Sequence, residues 1–245
     1  MADKISKIIM GRKPVLEAIN SGKEINFVTN SVKIPKELFD AIKKRGILIK
    51  KSDKRKLDFL TNNGNHQGIV AQLCSKSYSD INKILEISNQ KNEPNFLLIL
   101  DRIQDPQNLG AIIRTAECMG VHGVVICKHE AAALTESVAK ASAGAIEHIL
   151  VARETNLSRT IDFLKKRGVW ILGTDSSGVD FTSIPKNIFS GSVALVIGSE
   201  GYGISRLIKE KCDFMLSISL RGKINSLNVS VACGIFLQRI SEYRL

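Results

Sequence analysis

From Asn95 onward, the chain alternates short, almost continuously apolar segments with longer helical stretches. The apolar segments read FLLIL, GVVIC, HILVA, VWILGT, VALVIG and FMLSISL. Segments that are apolar at nearly every position are typical of strands buried on both faces. Their alternation with helices predicts an α/β domain with a mostly parallel sheet that is covered on both sides. Because ligands of such sheets bind beyond the carboxyl ends of the strands, we expect a functional site there.

Residues 1–75 differ from the rest of the chain in charge. They contain 15 Lys and Arg against 7 Asp and Glu, whereas residues 76–245 contain 20 against 17. The densest basic cluster is KKRGILIKKSDKRK at 43–56. This uneven charge favours a polyanionic partner such as nucleic acid, and a basic surface that serves only solubility is the alternative.

Three regions are expected along the chain. In residues 1–75, GRKPVLEAIN and PKELFDAIKKRG predict helices, and INFVTN, ILIKKS and GIVAQL predict strands of a small α/β domain. Residues 76–94 are polar around one short amphipathic stretch and are expected to be a linker. Residues 95–245 then form the larger domain.

The chain is expected to be cytoplasmic and independent of membranes. It has no run of 18 apolar residues, and its start, MADKISKIIMGRKP, lacks the apolar block of a signal peptide. The five cysteines are odd in number and never spaced as CxxC, which predicts free thiols in a reducing compartment.

Polar residues cluster after three of the predicted strands. The first cluster is DRIQDPQNLGAIIRTA, in which Asn108 is placed to cap a helix that carries Arg114. The helical face around Arg114 is otherwise small, which indicates close approach by another backbone or by a ligand. Simple capping by Asn108 and a surface or salt-bridge role for Arg114 are the alternatives.

The other two clusters are VIGSEGYGISR and SLRGKINSLNVSVACG. Glycines in the second cluster allow a backbone to approach a ligand, although an ordinary strand-to-helix turn explains them equally well. Glu200 within that turn is expected to pair with a cation or to accept hydrogen bonds. In the third cluster, Ser226 is a candidate helix cap, and Asn228 needs a partner if it is buried.

Other chemistries find little support in the sequence. Cys118, His122, Cys127 and His129 lie close together, but their spacing matches no zinc site and no metal is expected. No Ser/His/Asp order stands out. Aromatic residues make up only 5% of the chain, which leaves little material for a platform that stacks nucleobases.

The three clusters together resemble the ordered motifs of the SpoU family, which are RNA 2′-O-ribose methyltransferases of the SPOUT class. The matching motifs are NxGxxxR at 108–114, GxEGxG at 198–203 and SLNVSxA at 226–232. Residues 1–75, with GRKPVLEAI and GNHQGIVAQ, resemble the ribosomal-protein-like α/β domain that binds substrate in some members. Members with this arrangement include enzymes that methylate a guanosine in the peptidyl-transferase loop of 23S rRNA.

The resemblance implies features that spacing and periodicity alone do not give. They are a trefoil knot near the C-terminus, S-adenosylmethionine bound in that knot, and a homodimer. Position by position, it implies methyl-donor contacts at Gly198, Ile218, Leu227, Thr174 and Gly173. It also implies a catalytic set around the ribose, which comprises Asn108, Arg114, Glu200, Ser226 and Asn228.

Arg114 is not expected to act as a base, because a guanidinium stays protonated at any ordinary pH. It is expected to grip a phosphate and to stabilise charge on the 2′-oxygen. Methylation of a tRNA or of another rRNA site is the alternative within the family, and a non-catalytic dimeric RNA-binding protein is the alternative outside it.

Overall fold

A computed structural model describes residues 8–244, which form two compact units. The first unit comprises the described residues up to Ser77 together with Ala133–Glu136. The second comprises Tyr78–Ala132 and the residues from Ser137 onward. Within residues 8–244, no helix combines the length and apolarity that crossing a bilayer requires.

The first unit is a four-stranded sheet with three helices. Its elements in chain order are β1 Ile8–Met10, α1 Arg12–Asn20, β2 Ile25–Asn30, α2 Lys36–Lys44, β3 Leu48–Lys51, α3 Lys54–Leu60 and β4 Ile69–Leu73. The strand order is β1-β4-β2-β3, and only β2 and β3 pair in parallel. The two predicted helices and three predicted strands are present. Strand β1 and helix α3 had not been predicted, since the strand is very short and the helix begins within the basic run.

The second unit is built on a six-stranded sheet in which every pairing is parallel. The strands are β5 Phe96–Asp101, β6 Gly123–Cys127, β7 Leu150–Glu154, β8 Trp170–Val179, β9 Val193–Gly198 and β10 Phe214–Leu216, in the order β10-β8-β9-β5-β6-β7. The central strands β5 and β9 are buried along their whole length, as their apolar sequences predict. The predicted mostly parallel α/β sheet is confirmed, but FMLSISL forms a strand only over its first three residues.

The helices of the second unit lie before, between and after these strands along the chain. They are α4 Ile81–Lys91, α5 Pro106–Cys118, α6 Glu136–Ala141, α7 Leu157–Lys165, α8 Lys186–Ser190, α9 Arg206–Lys209 and α10 Val229–Ser241. The linker predicted at 76–94 is wrong for most of its length, because α4 packs into the core of this unit. Ile84 is fully buried there, and Ile81 and Leu85 lie beside it.

The small face of α5 has an explanation inside the chain. A Cβ atom added to Gly110 would lie 2.4 Å from the Cβ of Ala141 and 2.9 Å from the carbonyl oxygen of Val138, both on α6. On a neighbouring part of the same helix, Thr115 lies 3.6 Å from the position of a Cβ on Gly234 of α10. The small face of α5 is therefore explained by the close approach of another backbone, which is that of α6.

Candidate active site

The carboxyl ends of strands β5 and β9 lie side by side, and the last residue of each strand contacts the turn that follows β9. Asp101 ends β5 and pairs with Gly198, which ends β9. The buried carboxylate of Asp101 accepts a hydrogen bond of 2.7 Å from the backbone N–H of Ser205. Asp101 therefore anchors the chain where it leaves the turn after β9, a role that the sequence analysis missed although the residue directly follows FLLIL.

The turn at 199–203 is closed by its own backbone. The N–H of Ser199 donates to the carbonyl of Gly203 at 3.1 Å, and the N–H of Gly203 donates back at 2.9 Å. Gly201 and Gly203 have φ of 86° and 65°, values that favour glycine. A Cβ on Gly198 would lie 2.0 Å from the carbonyl carbon of Gly203, so the turn folds tightly onto the strand end.

Two helices bring their first turns to the same place. Helix α5 is capped by Asp105, whose carboxylate accepts from the N–H of Asn108 at 3.0 Å. Helix α10 is capped by Asn228, whose side-chain oxygen accepts from the N–H of Ser230 at 2.9 Å. The predicted caps Asn108 and Ser226 are therefore wrong. Asp105 takes the first cap because Pro106 occupies the first helical position after it.

Because Asn108 is not a cap, its side chain is available for the site. Its amide donates to Glu200 Oε2 at 3.4 Å, and its oxygen accepts from the amide of Asn228 at 3.0 Å. The Asn228 amide also donates to Glu200 Oε1 at 3.1 Å. One residue from each of the three sequence clusters thus joins a single network, in which each carboxylate oxygen of Glu200 receives one amide N–H.

A cavity of about 740 Å³ opens beside this network. Besides Ile218, its lining includes six of the residues singled out in the sequence, which are Thr174, Gly198, Glu200, Ser226, Leu227 and Asn228. Gly173 does not line it, because it is buried and a Cβ there would meet the sulfur atoms of Met215 and Cys212 at 2.5 and 2.7 Å.

Arg114 lies apart from the network within its own chain. It is exposed on α5 and has no hydrogen-bond or ion-pair partner among residues 8–244. It lies six positions after Asn108 on the helix, which corresponds to about 9 Å along the axis and about 120° around it. Ser226 lines the cavity without joining the network.

Asp175 is a cavity residue that the sequence analysis did not identify. Hydrogen bonds from Lys209 and Ser177 hold the pKa of its carboxyl at about 2, well below the ordinary value. The Lys209 ammonium lies 2.8 Å from Asp175 Oδ2. The cavity therefore has a carboxylate that remains ionised at neutral pH, close to the predicted contact Thr174. Within residues 8–244, no three His, Cys, Asp or Glu side chains are grouped to hold a metal ion.

Comparison with known proteins agrees with these motifs. The family model of the SpoU rRNA Methylase family matches residues 95–238, and the model for RNA 2′-O ribose methyltransferase substrate binding matches residues 8–79. A Bacillus subtilis protein, YacO, named as a TrmH family tRNA/rRNA methyltransferase, is 44% identical over 241 residues, which cover 96% of this chain and 95% of that protein.

Solved structures have the same fold. An rRNA methyltransferase from Sinorhizobium meliloti with AdoMet bound is 27% identical, with a TM-score of 0.62 over 98% of this chain and 88% of that one. The SpoU methyltransferase AviRb from Streptomyces viridochromogenes is 22% identical, with a TM-score of 0.62 over 97% of this chain and 90% of that one. The fold, the site and these similarities define the class of the protein as RNA methyltransferase. The chain belongs to the SpoU rRNA Methylase family.

Proposed function

We propose that the protein transfers a methyl group from S-adenosylmethionine to the 2′-hydroxyl of a ribose in RNA. The more specific form of the proposal is that the target is a guanosine in the peptidyl-transferase loop of 23S rRNA. The observation that carries the proposal is the network of Asn108, Glu200 and Asn228, which joins the three family motifs at the edge of one cavity.

The cavity fits the methyl donor in size and chemistry. Its volume of about 740 Å³ lies within the range of ligand sites for molecules of this size. The carboxylates of Asp175 and Glu200 suit a ligand that has a positively charged sulfur and several hydroxyl and amino groups. Apolar side chains such as Phe236 complete the lining. We assign Thr174, Gly198, Ile218 and Leu227 to hold the donor, which supplies an electrophilic methyl group when bound.

The network has the properties needed to position a ribose. Glu200 uses one lone pair on each oxygen for an amide N–H, which leaves others to accept from a sugar hydroxyl. The Asn228 oxygen is occupied by Ser230, so its amide group is fixed and keeps Glu200 in place. Ser226 lines the same cavity as Glu200, and we assign its hydroxyl to contact the substrate. These residues raise the rate of transfer by aligning the 2′-oxygen that attacks the methyl group.

Arg114 acts, in this proposal, in the site of a second subunit. It has no hydrogen-bond or ion-pair partner among residues 8–244 and lies on α5, which packs against α10. Val231 and Ile235 on α10 are exposed at 51% and 38% and are four residues apart, so they share one face. Burial of this face in a homodimer brings an arginine to the partner's ribose, where it holds the RNA phosphate and stabilises the charge on the oxygen. We also propose the trefoil knot, formed where the loop at 217–228 meets the turn after β9.

The first unit contains a site suited to the RNA itself. A second cavity of about 790 Å³ is lined by Arg12 and Lys54, and by the polar loop at 63–68. The loop is held by the buried His66, which accepts from the N–H of Gly68 and donates to Asp58 at 2.8 Å. Phe59 is 83% exposed on the same basic helix, α3. Cations bind the RNA backbone and exposed aromatic rings stack on bases, and this unit presents both.

Methyl transfer is tested with tritiated S-adenosylmethionine and an unmodified transcript of 23S rRNA, followed by mapping of 2′-O-methylated positions. We expect one ribose in the peptidyl-transferase loop to become methylated. Methylation of a tRNA transcript instead would contradict 23S rRNA as the target but would still support ribose methylation of RNA. Binding of the donor without transfer to any RNA would contradict the function.

The role of the first unit is tested by two variants with equal loss of charge. R12Q/K54Q removes both cations of the cavity, whereas K43Q/K44Q removes two from the last turn of α2. We expect the first pair to weaken binding of the 23S transcript more strongly and to reduce its salt dependence by up to about two counterions. Equal losses would show that only overall charge matters.

A further inference from the structure

The most exposed large apolar side chain among residues 8–244 lies at the candidate active site. Tyr202 is 88% exposed and lines the opening of the same cavity as Glu200. It has no hydrogen-bond or ring partner among the described residues. A single exposed aromatic is unremarkable on an ordinary surface, so its meaning depends on its position.

The backbone presents Tyr202 rigidly. The two hydrogen bonds between Ser199 and Gly203 close the turn, and Tyr202 lies between two glycines with positive φ. The turn is further fixed at one end by the close contact of Gly198 with Gly203 and at the other by Asp101 binding Ser205. A tyrosine with only two side-chain torsions on such a turn loses little conformational entropy when it binds.

The neighbours of Tyr202 determine what reaches it. Glu200, two residues earlier in the turn, is held by the amides of Asn108 and Asn228. A ribose placed against Glu200 brings its own base, or the next base along the strand, to the cavity opening. Single-stranded RNA is recognised largely by stacking of unpaired bases on aromatic rings, which tolerates any base.

We propose that Tyr202 stacks on a nucleobase next to the reacting ribose and thereby positions the RNA strand. The inference rests on the proposed RNA methylation, and it adds a contact that the three shared motifs do not contain, since the position between the last two glycines of GxEGxG is unspecified. Tyr202 is a positioning residue, because it touches the RNA but takes no part in moving the methyl group or the proton.

Kinetics with the 23S transcript test this role through two replacements. Y202L keeps an apolar side chain of similar reach but removes the ring, and Y202F keeps the ring but removes the hydroxyl. We expect Y202L to raise the KM for RNA roughly 5- to 100-fold with a smaller change in kcat, and Y202F to stay close to the wild type. Donor affinity, measured by calorimetry, is expected to be the same in all three proteins.

Two outcomes would overturn the inference. Equal KM values for Y202L and the wild type would show that the ring contributes nothing. A loss of donor affinity as large as the loss of RNA affinity would place Tyr202 against the methyl donor instead. If the wild type itself transfers no methyl group, the proposed function fails, and RNA binding alone must then be measured.

A fluorescence measurement provides that independent readout. The chain has one tryptophan, Trp170, at the start of β8 and therefore at the opposite end of the sheet from the site. In the variant W170F/Y202W, addition of the 23S transcript is expected to quench the new tryptophan, because it stacks on a base. The wild type, with Trp170 only, is the matched control. Equal response of both proteins, or no quenching in the variant at RNA concentrations that saturate binding, would refute stacking.

Discussion

The amide nitrogen of Asn228 lies 3.0 Å from the side-chain oxygen of Asn108, so two residues 120 positions apart in sequence are directly joined. Each lies in the first turn or at the cap of a helix, and each also donates to Glu200. The three side chains are partly open to solvent, where a single hydrogen bond contributes little to the free energy of unfolding. Their effect is therefore expected in activity more than in stability, and two variants of Asn228 separate these effects.

N228S keeps an oxygen that caps α10 but removes the amide that holds Glu200, whereas N228A removes both. We expect N228S to change the free energy of unfolding by less than about 0.5 kcal/mol, and N228A to lower it by about 1 kcal/mol. Both variants are expected to reduce methyl transfer about 100-fold, because Glu200 is no longer aligned. Urea denaturation and transfer to the 23S transcript measure the two quantities. Near-normal transfer by N228S would reject the network as the centre of the site.

The two-subunit role of Arg114 predicts complementation. R114A and N228S are each expected to be inactive as homodimers. In a mixture reassembled from equal amounts, about a quarter of all sites would combine an intact Arg114 from one subunit with an intact network from the other, if the arginine acts on its partner. Recovery of about a quarter of the wild-type activity is expected. Activity no higher than that of the two variants alone would mean that Arg114 acts within its own subunit or not at all.

Gly198 and Gly234 predict opposite effects of the same substitution. In G198A the new methyl group would lie 2.0 Å from backbone atoms of the turn, so either the turn or the strand must move. We expect a loss of about 3 kcal/mol in the free energy of unfolding, together with loss of donor binding. Gly234 lies inside α10, and the methyl group of G234A would lie 3.6 Å from Thr115 of α5. Alanine at this helical position is expected to raise the free energy of unfolding by about 0.5–1 kcal/mol. Thermal unfolding of both variants checks the contrast, and a stable G198A would contradict the packing of the turn.

Stability is expected to decrease in mildly acidic solution because of His122. Its Nδ1 accepts from the N–H of Phe96 at 3.0 Å, and burial lowers the pKa of the ring below the ordinary value of 6.5. The neutral ring is thus favoured in the folded state, so its contribution is present above pH 6.5 and is lost as the pH falls toward the lowered pKa. H122A is expected to cost about 1–3 kcal/mol at pH 7.5 and to remove this pH dependence. The exposed His148 supplies the control variant H148A, in which the pH dependence of stability is expected to remain. A pH profile unchanged by H122A would contradict the assignment.

The strands were predictable from the sequence because burial on both faces leaves a continuous apolar signal. Helix α4 was missed as a packed element because its polar flanks outweighed the helical spacing of Ile81, Ile84 and Leu85, which is typical of a helix packed on a core. The cap at Asp105 follows from a local rule about Pro106 and was also within reach. By contrast, the partners of Asn108 and the helix facing Gly110 lie far along the chain, so no local pattern identifies them.

The site residues divide in the same way. Residues of the three motifs that point into the cavity were identified through the family resemblance. Gly173 does not line the cavity, and a strand end alone does not tell which side of the strand faces it. Asp175 and Tyr202 were missed, the first because its ionised state depends on Lys209, and the second because an overall shortage of aromatics says nothing about where one is exposed.

The turn at 199–203 also limits how an enzyme of this design can diversify. Four of the positions from 198 to 203 are constrained, three by the space or torsion available to a glycine and one by the amides around Glu200. Position 202 alone combines a side chain in open solvent with no such constraint. Under the stacking proposal, a change at position 202 alters the contact with RNA without disturbing the backbone of the turn, so an engineered variant should begin there.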